Sequence, residues 1–264
     1  MLVEHIRTNY YRVVVAFSGG VDSAVVAAAA MRALGPNAVA WTSIGAAVPE
    51  SDRVAAQNVA RAIGIEHVMI PTQEIHNPDY IANRPDRCFH CKSTLYEAIA
   101  KWAQENQFET ILSGTNAEDL GDYRPGLKAA ANWGVQAPLA DCGMGKQAVR
   151  EIAKLWGLSV ADKPASPCLA SRIAYGQVVT IGRLSRIETM EKWHGVLGFH
   201  DVRARLHADE LLRLEIHADE LPLAICESTR TQIVSKANEL GFRYVTIDIQ
   251  GRQSGSMNRV LKDA

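Results

Sequence analysis

The sequence predicts an α/β fold: a parallel sheet covered by helices on both faces, followed by a smaller C-terminal α/β domain. Three observations predict it. Short β-branched runs alternate with longer helical stretches as far as about Leu158, the pattern of a parallel sheet with crossover helices. A turn-rich segment beginning at Ala161, ADKPASPCLASRIAYG, then breaks the alternation with two closely spaced prolines. Beyond it, a long helical stretch is followed by two strand-like runs, more helix and a last strand.

Taken in order, residues 10–17 (YYRVVVAF) read as a buried strand, a short β-branched and aromatic run closed by Gly19-Gly20. Residues 22–34 are alanine-rich and read as a helix stopped by Gly35-Pro36. Residues 38–44 form the next strand, 50–63 a helix with Ser51 or a neighbour as its cap, and 66–71 a third strand. A longer helix over 89–107 leads to a strand at 110–113. In the second part, 181–197 is helical, 202–206 and 211–216 read as paired strands, 221–240 as mostly helix and 244–249 as a strand. The expected division is 1–160, a linker at 161–180 carrying Cys168, and a small domain at 181–264.

The 264 residues carry 28 Lys+Arg against 29 Asp+Glu, a net charge of −1, and 47% are hydrophobic. Such a chain buries a real core, and a charged fraction of 22% excludes disorder for its bulk. Near-neutrality gives no long-range attraction to nucleic acid or to an anionic membrane. The longest apolar stretch, residues 21–34, contains Asp22, Ser23 and Arg32 and is too short to span a bilayer. The first twelve residues hold Glu4, Arg7 and Arg12 without the apolar core of a signal peptide, so a cytoplasmic location is expected. Five cysteines, an odd number without an export signal, argue against a disulfide framework.

The strongest local signal is Ser18-Gly19-Gly20-Val21-Asp22-Ser23, lying between strand and helix. Its glycines permit close backbone approach to a ligand, and the helix behind them offers unpaired amides and a positive dipole end. The hydroxyls of Ser18 and Ser23 add donors. The natural guest is a phosphate chain, and Asp22, which would repel a bare anion, implies a bridging Mg²⁺. No lysine follows the glycines, so this is not a Walker loop, nor is it the dinucleotide fingerprint. SGGxDS resembles the PP-loop signature of ATP pyrophosphatases, which cleave ATP between its α and β phosphates. The resemblance implies a loop that holds the leaving pyrophosphate while the substrate is adenylylated; an ordinary strand-to-helix turn is the alternative. Leu112-Ser113-Gly114-Thr115-Asn116 closes another strand, so these residues, Gly114 and Thr115 among them, should face the same crevice as Ser18 at the carboxyl end of the sheet. Ser43, ending the second strand, is placed to meet the adenosine, and Glu118 reads as solvated.

Cys88-Phe89-His90-Cys91 is a CxxC at a helix start, where amide donors lower thiol pKa. It supplies two ligands only, so a metal site needs more, and Cys168 in Ser166-Pro167-Cys168-Leu169-Ala170-Ser171-Arg172 is the obvious addition. Three cysteines can hold a [4Fe–4S] cluster with one iron open to hydrosulfide; zinc with an added histidine, or a redox pair, are alternatives. Cys226, behind Leu221, Leu223 and Ile225, reads as a buried filler. His90 reads as a local hydrogen-bonding residue, and Cys142 has no assignment.

Together with Asp122-Tyr123-Arg124-Pro125-Gly126-Leu127-Lys128, the Cys168 loop, Gly241-Phe242-Arg243-Tyr244-Val245-Thr246 and Ser254-Gly255-x-Met257-Asn258, the PP-loop makes the chain resemble the LarE family of ATP-dependent sulfur transferases over nearly its whole length. These enzymes serve nickel-pincer cofactor synthesis, adenylylating a carboxylate of pyridinium-3,5-biscarboxylic acid mononucleotide and converting it to a thiocarboxylate. One branch sacrifices a single cysteine's sulfur; the other holds a [4Fe–4S] cluster on three cysteines. The resemblance implies that Cys168 is catalytic and that Cys88 and Cys91 join it in a cluster. It also implies an acidic role near the sulfur for Glu191, and substrate-phosphate contacts from Arg203 and Arg205, with Ser171 and Arg172 beside them. ATP, Mg²⁺ and a homo-oligomer, hexameric in the family, follow in the same way. The chain departs from the single-cysteine pattern at Gly251-Arg252-Gln253-Ser254-Gly255-Ser256-Met257, where arginines are replaced and Arg252 is left as a substitute. The competing readings are a tRNA thiolase, an amide-forming PP-loop synthetase and a nucleotide-binding iron or redox sensor.

Overall fold

The computed structural model describes residues 1–121, 125–164, 166–253 and 255–261. The chain forms two compact units, one from Met1–Asn77 and Asp86–Ser166, the other from Pro78–Pro85 and Pro167–Ala264. In the first unit α1 (Leu2–Asn9) precedes β1 (Val13–Ala16), α2 (Val21–Leu34), β2 (Ala38–Ser43), α3 (Glu50–Ile63) and β3 (Glu66–Ile70). The short helix α4 (Pro78–Ile81) falls in the segment that belongs to the second unit. The chain then returns through α5 (Arg87–Glu105), β4 (Thr110–Leu112), α6 (Pro125–Asn132), α7 (Pro138–Asp141) and α8 (Lys146–Leu155).

The four strands pair in parallel in the order β3-β2-β1-β4, with Val14 opposite both Val39 and Ile111. Strand order reverses between β1 and β4, the switch point at which open α/β sheets bind ligands. Val13 and Val15 pack into one core with Ile6, the alanines of α2 and Val149, while Val14 packs into the other with Trp41, Ile99 and Ala129. Both faces are therefore covered, which is why β1 carries an unbroken valine run rather than an alternation. Residues 23–30 of α2 are all buried, and their small side chains let this helix lie close to the sheet and its neighbours.

Several sequence expectations need correction. The strand and helix alternation ends at β4: the chain from Pro125 to Leu155 is helical apart from turns, and Gln136 makes a single bridge to Leu112 instead of a fifth strand. Ser51 does not cap α3. Pro49 holds the cap position, and its carbonyl takes the amides of Asp52 and Arg53, so Ser51 lies inside the first turn. The first nine residues contain a helix that no strong periodicity announced.

In the second unit α9 (Ile181–Val196) is capped by the Thr180 hydroxyl, which accepts from the Arg183 amide at 3.2 Å. β5 (Arg203–Leu206) runs antiparallel to β6 (Leu211–Glu215), which pairs in parallel with β7 (Tyr244–Ile247). Between β6 and β7 the helical run splits into α10 (Leu221–Ile225) and α11 (Glu227–Glu239), because Cys226 is extended. Cys226 is exposed rather than a buried filler, since Leu223 and Ile225 before it are themselves exposed; its thiol meets the Thr229 hydroxyl at 3.1 Å. No helix among the described residues is long and apolar enough to cross a membrane.

Asn83 ties the inserted segment into the second unit. It is fully buried with φ of 53°, a backbone region asparagine tolerates well, and its amide donates to the carbonyls of Ala174 at 2.8 Å, Gln177 at 2.9 Å and Ile173 at 3.3 Å. Asn83→Ala is expected to lower unfolding free energy by about 3 kcal/mol, because several carbonyls lose a donor worth about 1–3 kcal/mol each when left unsatisfied. Urea unfolding of the two proteins checks this.

Candidate functional site

The loops that leave β1, β2, β3 and β4 meet at the carboxyl edge of the sheet. The Ser18 hydroxyl lies 3.2 Å from that of Ser23 and accepts from the Gly20 amide at 3.3 Å, while Ser23 donates to the Gly20 carbonyl at 3.1 Å. This curls the loop around the amino terminus of α2, whose first amides face outward as an anion cradle. Gly19 has φ of 70°, and a Cβ there would lie 2.7 Å from the Ala56 Cα, so only glycine fits against α3. On the other side a Cβ at Gly114 would come within 2.7 Å of the Ser23 nitrogen. The loop after β4 is thus seated directly on the start of α2.

The strand ends are braced beneath the loop. The Thr42 hydroxyl donates to the Phe17 carbonyl at 2.7 Å and meets His67 Nε2 at 2.7 Å. Because that hydroxyl proton goes to Phe17, His67 donates to Thr42, and burial lowers the histidine pKa, favouring its neutral form. Ser43, expected at the adenosine, bonds to the Thr72 hydroxyl and accepts from the Gly45 amide at 3.3 Å. Thr115 takes a hydrogen bond from Ser113 at 3.1 Å.

The sequence places Asn116 in this crevice with the rest of 112–116 but assigns it no role of its own. It is 1% exposed, its Nδ2 donates to Asp22 Oδ1 at 3.0 Å, and its Oδ1 accepts from the amides of Glu118 and Asp119, both at 3.1 Å. Only its place directly behind Gly114-Thr115 could have signalled it. The Asp22 carboxylate makes no other hydrogen bond among the described residues, which leaves Oδ2 available to a cation. One carboxylate oxygen beside a phosphate cradle fits Mg²⁺, which keeps most of its water and binds through one or two carboxylates plus phosphate. Glu118, read as solvated, accepts from the Lys146 amide at 2.8 Å and so serves the start of α8. Of the motif at 122–128, residues 122–124 lie outside the described residues.

Cys88 is exposed and Cys91 half-buried, one turn apart at the start of α5, and the intervening His90 bonds to Asp86 at 3.2 Å. None of the five cysteines forms a disulfide. Among the described residues no group of three or more His, Cys, Asp or Glu is arranged to hold a metal ion. The CxxC belongs to the first unit and Cys168 to the second. The pair alone is one thiolate short of the three-cysteine set.

In the second unit Cys168 precedes a tight turn over Leu169–Arg172. Its carbonyl accepts from the Ser171 hydroxyl at 2.7 Å and from Arg172 Nη1 at 3.1 Å. The Arg172 guanidinium is 2% exposed, also bonds to the Pro167 carbonyl, and forks onto Glu191 at 3.0 and 3.2 Å. Glu191 also accepts from the Ala204 amide at 3.1 Å. Arg172 therefore braces the Cys168 turn, its Nε and Nη2 bonding to Glu191 and its Nη1 to the turn itself. Arg205 is likewise buried, donating to Glu215 at 2.7 and 3.0 Å and to the Ser171 carbonyl at 3.2 Å. Arg203 differs. It pairs with Asp201 at 2.6 Å, a carboxylate that Arg252 also meets at 2.9 Å. Burial and then the neighbouring Arg172 lower the Arg203 pKa, against the opposing effect of Glu191 and Asp201. Ser256 is held by Glu215 at 2.5 Å, Gln253 accepts from Arg259, and Ser254 lies outside the described residues.

A parallel sheet whose first strand runs into SGGVDS at the switch point defines a PP-loop, ATP-using class of enzyme. Consistent with this, the NAD synthase family model matches residues 2–108. The chain is 40% identical over 250 residues to an uncharacterised protein of Synechocystis, covering 95% of this chain and 93% of that one. It is 33% identical over 255 residues to the pyridinium-3,5-bisthiocarboxylic acid mononucleotide synthase of Lactiplantibacillus plantarum, covering 96% and 91%. A more distant relative, the tRNA-specific 2-thiouridylase MnmA of Caulobacter vibrioides, is 28% identical over 236 residues and covered to 61%. The chain belongs to the LarE family, that of the Lactiplantibacillus synthase.

Gly114→Ala is expected to push the β4 loop off α2, weakening ATP binding by about fivefold or more through an overpacking strain of about 1–3 kcal/mol; calorimetric titration with ATP reads it. Glu191→Gln leaves the Arg172 cation buried without its counter-charge, a loss of about 3–5 kcal/mol for a broken buried pair. A fall in thermal midpoint together with faster alkylation of Cys168 is the expected result.

Proposed function

We propose that this enzyme uses ATP to adenylylate a carboxylate of pyridinium-3,5-biscarboxylic acid mononucleotide and replaces a carboxylate oxygen with sulfur. The observation that carries the reading is the combination, in one chain, of a glycine-seated PP-loop and a cysteine whose turn is clamped by a buried arginine. The substrate carboxylate attacks the α phosphorus of ATP, and the bond to the β,γ-pyrophosphate breaks. Ser18, Gly19, Gly20 and Ser23, with the first amides of α2, take up the charge that develops on the leaving pyrophosphate. Asp22 would hold Mg²⁺, which when bound neutralises phosphate charge. Gly114, Thr115 and Ser43 border the nucleotide.

The acyl-adenylate carbonyl is then open to sulfur, with AMP as the leaving group. Cys88, Cys91 and Cys168 are the residues for a [4Fe–4S] cluster, which would supply sulfide at its open iron. Without that group, the Cys168 thiolate is the nucleophile: AMP leaves as the thioester forms, and loss of the Cys168 Cα proton then breaks the Cβ–Sγ bond, releasing the thiocarboxylate and leaving dehydroalanine. The fork of Arg172 on Glu191 supports a positioning role for both residues. Arg203 with Arg252 is the better-supported pair for the substrate phosphate, since their side chains are more exposed than those of Arg172 and Arg205; Ser171 serves the turn. The reading also takes the enzyme as a cytoplasmic homo-oligomer.

Two measurements test it. Pyrophosphate release should depend on the biscarboxylic mononucleotide, and Cys168→Ala should keep that release while losing thiocarboxylate product by at least about a hundredfold. Release stimulated by tRNA instead, or full product from Cys168→Ala, overturns the assignment. Protein purified without oxygen should hold about four iron and four sulfide per chain, lost in Cys88→Ala and Cys91→Ala. Protein that takes up no iron on reconstitution leaves Cys168 as a sacrificial donor.

A further inference from the structure

Asn116 is built for more than holding its own turn. Its carboxamide oxygen accepts from two successive turn amides, which fixes the orientation of the group: the oxygen faces Glu118 and Asp119, and the nitrogen must face the other way. What lies there is Asp22, reached at 3.0 Å from a different strand-to-helix connection. The asparagine is buried, so its side chain has little access to water other than through this bond. Gly114, two residues earlier, is held against the Ser23 nitrogen, so the register between the two loops is set by backbone contact as well. A turn that needed only its own cap would not require a donor aimed across the site.

We propose that Asn116 is a positioning residue for Asp22: it holds one carboxylate oxygen so that the other points to the divalent cation accompanying ATP. The inference rests on the reading of the loop as a metal–ATP site. A side chain that orients a metal-binding carboxylate typically governs metal affinity by about 10–100-fold without touching the ion. Asn116 therefore acts on metal affinity first and on the chemical step only through it.

The test is Mn²⁺ binding followed by electron paramagnetic resonance, in the presence of an ATP analogue with a methylene bridge between the α and β phosphates. Asn116→Ala should weaken Mn²⁺ binding about tenfold. Asp22→Asn should weaken it at least as much, and adding Asn116→Ala to Asp22→Asn should cause no further loss, since a residue acting through Asp22 has nothing left to orient. In steady-state assays the Mg²⁺ concentration for half-maximal pyrophosphate release should rise about tenfold, with kcat at saturating Mg²⁺ within about twofold of the parent. A purely structural role would instead lower kcat at every Mg²⁺ concentration. Asn116→Ser guards against loss of the turn: its hydroxyl can accept from the turn amides but is too short to reach Asp22, and it should reproduce the metal defect. Parent-like Mn²⁺ binding in Asn116→Ser, or additive losses in the double variant, overturns the proposal. Parent protein that binds no Mn²⁺ with the analogue overturns the metal–ATP reading itself, a separate result.

Discussion

Everything at the carboxyl edge of the first unit depends on two backbone approaches that leave no room for a Cβ. Gly19 presses the β1 loop against α3, and Gly114 presses the β4 loop against the first turn of α2. Between them the amino terminus of α2 is gripped from both sides. A helix amino terminus binds anions only when its amides are exposed and its axis is held, and here the burial of the whole alanine run supplies the second condition. Bulkier residues in α2 would lift it from the sheet and open both contacts. The composition of the helix core and the chemistry of the loop are thus parts of one packing problem.

The second unit meets a different constraint, that of ion pairs with little access to water. Arg172 with Glu191 and Arg205 with Glu215 hold their strands and turns through forked or paired bonds, an arrangement that costs a great deal if one member is lost. Such pairs make poor ligand sites because the guanidinium is already matched. Arg203 and Arg252 contrast with them, since they share Asp201 and keep more of their surface open to water. Dense arginine in this unit therefore serves largely to build.

The parallel sheet and the phosphate loop were legible in the residues because both are local: a valine run, two glycines and a following helix lie within a few positions of one another. The end of the alternation was not, because Gln136 contributes one bridge where a strand would need several, and composition does not distinguish the two. The roles of Arg172 and Arg205 were hidden for a related reason. Their partners, Glu191 and Glu215, lie 19 and 10 residues away, and no periodicity announces which carboxylate a buried arginine will meet. Cys226 misled through its neighbours: an apolar stretch signals burial on average, yet Leu223 and Ile225 face outward. Asn116 could be seen only as part of a loop, since its meaning lies in Asp22, which is 94 residues away.

The segment from Pro78 to Pro85 gives the molecule an unusual gene-level property. Because Asn83 satisfies carbonyls at Ile173, Ala174 and Gln177, neither unit corresponds to one uninterrupted stretch of coding sequence. Cutting the chain at Ser166 yields a trailing fragment that lacks an interior side chain and a leading fragment that carries it without acceptors. On the ribosome, Asn83 emerges long before the residues it must meet. Recombination between relatives at the apparent boundary would pair an asparagine from one parent with a loop from the other, so the two halves are bound to change together.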